Sequence, residues 1–184
     1  ALTWFQIAAH GGHAMAHNML GRCHEHGWGC TPDLTLAATH YRQAATQGLD
    51  WGLYNLGNLL GTGRGVRQDH HQAIACYAKA ARLGHAKSMN LLGRYLEEGL
   101  CGPADPAAAR QWYKRSAQAG DFRGQFSHAA LLAEQGQVDA ALVWLERRGR
   151  SRQRFGSAQR MRAIAPHRLP PGIAWLATLA CSLP

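Results

Sequence analysis

Apolar positions recur at three- and four-residue spacings in short stretches, and the stretches themselves recur along the chain. Ala37, Ala38, Tyr41, Ala44 and Ala45 form one stripe at helical period, and Gly48 follows it. Leu53, Leu56, Gly57 and Leu60 form a second stripe, followed by Gly61, Gly63, Gly65, Val66 and Asp69. Glycine supplies the left-handed backbone that ends the first helix and tightens the next connection. Asp69 stands where it would cap the helix after that. The pattern predicts a pair of short helices.

That pair returns every thirty-six residues, marked by Gly12, Gly48, Gly84 and Gly120. Phe5, Tyr41, Tyr77 and Tyr113 keep the same register, and so do Gly21, Gly57, Gly93 and Ala129. Leu20, Leu56, Leu92 and His128 precede the last set. One such pair cannot bury its own apolar faces, so the units must stack, with the aromatic filling the space beside the small residue. The expected fold is all-α: an α/α superhelical solenoid of about four helix-pair repeats over residues 1–146. Its units run at about 1–33, 34–69, 70–105 and 106–137, then a half-unit carrying Ala140, Ala141, Trp144 and Leu145.

Charge divides the chain differently. Residues 1–146 carry twelve basic and eleven acidic side chains, whereas 147–184 carry eight arginines and no acid. Nearly all of the net charge of +9 therefore belongs to the tail. This Arg-rich stretch, followed by Pro170-Pro171-Gly172 and the apolar Ile173, Trp175, Leu176 and Leu179, reads as a capping helix or as disorder. Its arginines could grip phosphates or another anionic surface, but little aromatic interleaving and no nucleic-acid fold accompany them, so nucleic acid is not the expected partner. No apolar run approaches a membrane span.

Five cysteines fall at different places in the repeat, unlike a recurring disulfide framework. Reduced thiols favour the cytoplasm. The first residues lack the layout of a signal peptide; the periplasm stays open because the native N-terminus is not assured.

Residues 1–146 resemble the Sel-1-like repeat family, an α/α solenoid related to the tetratricopeptide repeat. Trp112-Tyr113-Lys114, Tyr54-Asn55-Leu56-Gly57 and Gly63-Arg64-Gly65-Val66 with Asp69 carry the likeness. The resemblance implies an adaptor that assembles protein complexes and no common reaction. A cysteine-rich secreted branch linked to β-lactams pairs cysteines at positions that here hold Ala45 and Leu53, or Ala81 and Met89, so that activity does not carry over.

By analogy with tetratricopeptide stacks, the Leu-Gly helix of each unit lines a concave groove. Asn18 and Arg22, Tyr54 and Asn58, Asn90 and Arg94, and Phe126 then form two rows across it. Amides suit a peptide backbone, guanidinium suits carboxylate, and the aromatics suit apolar side chains. A groove of ordinary hydrated polar residues is the plain alternative. Cys23, His26 and Cys30 have zinc-ligand chemistry, yet Cys23 aligns with Leu59, Tyr95 and Leu131, a core position. No metal or cofactor is expected. The acidic residues are spread through the units, Asp33, Asp69 and Asp105 recurring as loop caps, and they make no unique constellation, so an enzyme is not expected either.

Overall fold

The computed structural model describes residues 2–153, with side chains through Glu146. Its helices are α1 (Leu2–His10), α2 (Ala14–His26), α3 (Leu34–Thr46), α4 (Asp50–Thr62), α5 (His70–Arg82), α6 (Ala86–Glu98), α7 (Pro106–Gln118), α8 (Phe122–Glu134) and α9 (Val138–Gln153). No strand occurs among the described residues. The helix-pair solenoid is what the register demands.

Local chemistry fixes where each helix begins. Asp33, Asp69 and Asp105 each accept the backbone N–H three residues on, from Leu36, Gln72 and Ala108, at 2.9 Å. The Gln72 N–H, first among the causes, holds the Asp69 carboxyl below its ordinary range. Pro106, which has no N–H to satisfy, opens α7. Within each pair the turn needs a left-handed residue: Gly48 has φ +79° and Gly84 φ +94°, and a Cβ at either would meet nothing within 4 Å. Backbone sign, not space, selects glycine there.

Successive helices pack in chain order, most extensively α2 on α3, α4 on α5 and α6 on α7. The central core runs through Ala37, Tyr41, Leu56, Leu60, Tyr77 and Leu92 without a break. Tyr41, Tyr77 and Tyr113 sit against Gly21, Gly57 and Gly93 of the preceding helix. Their hydroxyls donate to Glu25 (2.7 Å), Asn58 (3.0 Å) and Glu97 (2.6 Å). Burial, above all, pushes these phenols well above the ordinary tyrosine range, so they stay donors. The last junction differs in concert: Ala129 replaces the glycine and packs with Ala141 and Leu145 of α9.

Helix α9 continues through Gln153. The boundary expected at 146 thus falls inside this helix. Residues 154–184, with the capping-helix and phosphate-contact expectations that fall on them, lie outside the described residues. No described helix is long and apolar enough to cross a membrane.

Candidate partner-binding face

The second helices, α2, α4, α6 and α8, bury one face in the core and leave the other to solvent. Helix α2 packs directly on α4, and α6 on α8, while α4 with α6 and the consecutive first helices do not approach as closely. The side of the stack formed by the second helices is the candidate inner face. One row that is exposed in every unit is Met15, Trp51, Lys87 and Arg123, one residue per unit at the same register.

The residues expected to line the groove fall in three kinds of place. Asn18 and Asn90 are buried, 3% and 9% exposed, between neighbouring second helices. The Asn55 amide donates to Asn18 Oδ1 at 2.9 Å, and the Ser127 hydroxyl to Asn90 Oδ1 at 3.2 Å. Asn58 accepts from the Tyr77 hydroxyl at 3.0 Å, and Phe126 packs on the Ala129 cluster. These four side chains take part in holding the stack. Arg22, half-buried, lies over the Trp28 ring at 4.9 Å, and Arg94, exposed, reaches Glu98 at 3.9 Å.

Tyr54 belongs to the most distinctive cluster. Its ring lies 6.1 Å from that of Trp51 and 4.8 Å from that of His85, with the Lys87 ammonium 5.1 Å from the Trp51 centroid and 6.0 Å from that of Tyr54. His85, buried behind them, is the N-cap of α6: its Nδ1 accepts from the Ser88 N–H (3.3 Å) and lies 2.8 Å from the Ser88 hydroxyl. Asp121 caps α8 from the same register. Burial first, then Lys87, lowers the His85 pKa against the opposing pull of Asp50 and Asp121. Sequence reasoning passed over Trp51 and Lys87. They lie three residues ahead of Tyr54 and Asn90, at a register whose apolar Met15 and Trp51 do not announce an exposed row.

Cys23, His26 and Cys30 do not converge. The Cys30 thiol donates to the Cys23 carbonyl (3.6 Å) and lies 3.5 Å from His24 Nδ1, whereas His26 packs on Trp28 at 4.9 Å. Among the described residues no group of three or more His, Cys, Asp or Glu side chains is arranged to hold a metal ion. Burial pushes the Cys23, Cys76 and Cys101 thiols up, away from reactive thiolate.

A model of the Sel1 repeat matches residues 1–13, 14–49, 52–85 and 86–121. The chain belongs to the Sel1 repeat family. The family frame joins each second helix to the first helix after it, the pairs that pack most extensively here. A Sel1 repeat protein from Oxalobacter formigenes superposes with TM-score 0.76 at 29% identity, covering 81% of this chain and 62% of that one. A protective antigen of uropathogenic Escherichia coli strains, displaying an SLR fold, gives TM-score 0.74 at 30% identity, covering 81% and 33%. Among curated proteins, Chitin synthase regulatory factor 3 of Schizosaccharomyces pombe is 35% identical over 114 residues, 59% of this chain and 12% of that protein. An uncharacterised protein of Neisseria meningitidis serogroup B is 29% identical over 132 residues, 71% of this chain and 26% of its own length. The chain thus spans at most about a quarter of the curated relatives it matches. Sel1 repeat proteins act in general as non-catalytic scaffolds for protein–protein interaction.

Proposed function

We propose that the chain is a scaffold that holds a peptide or protein partner along the inner face of its second helices, with Trp51, Tyr54 and Lys87 at the centre of the contact. The carrying observation is the Trp51 ring, 40% exposed beside Tyr54, with a cation resting on it. Aromatic side chains beside a cation are the kind of anchor that concentrates binding energy at protein interfaces. Arg22 and Arg94 flank this centre on neighbouring units and extend the same contact. A regulatory relative supports the reading, since the yeast protein is by name a regulatory factor for an enzyme and not the enzyme itself.

The test is direct. Trp51→Ala, and separately Arg22→Ala with Arg94→Ala, are made in the full chain, and binding is measured to a partner isolated with the unmodified protein. Affinity is expected to fall about tenfold or more for Trp51→Ala, with helical content unchanged by circular dichroism. Unchanged affinity in both variants would remove this face from the contact.

A further inference from the structure

The inner face also carries a direction. Along its exposed row the side chains run Met15, Trp51, Lys87, Arg123, apolar toward the N-terminal end and cationic toward the C-terminal end. Met15 is 51% exposed and Trp51 40%. The cations that follow are held but not neutralised. The Lys87 ammonium rests 5.1 Å from the Trp51 centroid, and the Arg123 guanidinium 5.4 Å from that of Phe122. An aromatic face orients a cation while leaving most of its charge available to a partner.

Neither cation forms an ion pair with a described carboxylate, in contrast to Arg64 with Glu25 at 3.3 Å and Arg94 with Glu98 at 3.9 Å. Two carboxylates lie beside the patch, each turned to a backbone N–H and still charged. Asp121 is buried and caps α8 through the Gly124 N–H at 2.9 Å, and Asp50 accepts the Trp51 N–H at 2.7 Å. The patch thus presents two cations held on aromatic rings and in no direct ion pair with a described carboxylate.

We propose that this row docks an acidic peptide segment, with an apolar side chain seated on Trp51 and Tyr54 and carboxylates reaching Lys87 and Arg123. The proposal rests on the scaffold reading above and names the class of partner for that face. Charge complementarity selects the occupant: a carboxylate gains from both cations, and a basic segment, including the arginines that follow Glu146 in this chain, is repelled.

A displayed library of short random peptides is selected on the full chain. It is selected in parallel on a Trp51→Ala/Tyr54→Ala variant and on a Lys87→Glu/Arg123→Glu variant, each confirmed helical by circular dichroism. The parent is expected to enrich acidic peptides bearing an aromatic or aliphatic residue. These are lost on the aromatic variant, and the charge-reversed variant enriches basic peptides instead. An enriched acidic peptide should bind the charge-reversed protein about tenfold or more weakly, and bind the parent more weakly as salt rises. Enrichment of neutral or basic peptides that still require Trp51 and Tyr54 overturns the acidic class while leaving the face as a binding site. Selection indifferent to Trp51 and Tyr54 overturns the face itself.

Discussion

Tyr77 lies so close to Gly57 that a Cβ at position 57 would stand 2.7 Å from the ring Cε1. Tyr41 at Gly21 and Tyr113 at Gly93 repeat the relation at 2.5 and 2.8 Å. Alanine in a helix interior would ordinarily gain about 1 kcal/mol over glycine. Here the ring cannot retreat, because Tyr77 is 3% exposed and its hydroxyl is tied to Asn58. Overpacking costs about 1–3 kcal/mol, so the clash outweighs the propensity. Gly57→Ala is expected to lower stability by up to about 2 kcal/mol in urea unfolding.

The last junction indicates how that loss is repaired. Ala129 packs with Leu145 where the other junctions set glycine against tyrosine. Gly57→Ala combined with Tyr77→Leu should therefore be more stable than the sum of the two single changes, a coupling read from a double-mutant cycle. Strict additivity would show that the two positions do not share one space.

One buried and two half-buried histidines give the fold a pH dependence. Burial, the first cause in each case, lowers the pKa of His85, His40 and His128; His17 and His24 add to it for His40, and Lys114 for His128. In the unfolded chain these groups titrate near about 6.5. Above that pH both states are neutral and the full stability is present. As pH falls through it, the unfolded chain binds protons that the folded chain refuses, and stability drops until the depressed folded pKa values are passed. The melting temperature should be flat from about pH 8 to pH 7 and decline below about pH 6.5. His85→Asp, which places at α6 the cap that Asp121 already provides at α8, should flatten part of that decline. A melting temperature that holds level or rises on acidification would contradict the neutral state of these imidazoles.

The repeat was legible because its determinants are local. Asp33, Asp69 and Asp105 cap through neighbours three residues on, and the Gly–Tyr pairs occupy fixed register positions. The binding face was less legible. Asn18 and Tyr54 share a register, and spacing within one unit does not say whether that register meets solvent or the next second helix. The approach of α2 to α4 and of α6 to α8 decides it, placing Asn18 and Asn90 in the seam while Tyr54 stays half-buried beside the outward Trp51. Nor does composition disclose that the Cys30 thiol turns to His24 while His26 goes to Trp28.

That seam supplies the last prediction. Asn55 donates to Asn18 across one junction and Ser127 to Asn90 across another, while Tyr54 and Leu91, at the same positions of the junction between, both pack on the apolar core. At that middle junction α4 and α6 approach less closely, and the core takes both side chains. Asn18→Leu strands the Asn55 amide, which is half-buried and keeps some access to water, so the cost should fall at the low end, about 1 kcal/mol. Asn18→Leu with Asn55→Leu removes both partners and should return close to the parent stability in urea unfolding, as apolar replacement of a complete pair does. If the double variant is as unstable as the single one, the amides hold the junction through shape and not through their hydrogen bond.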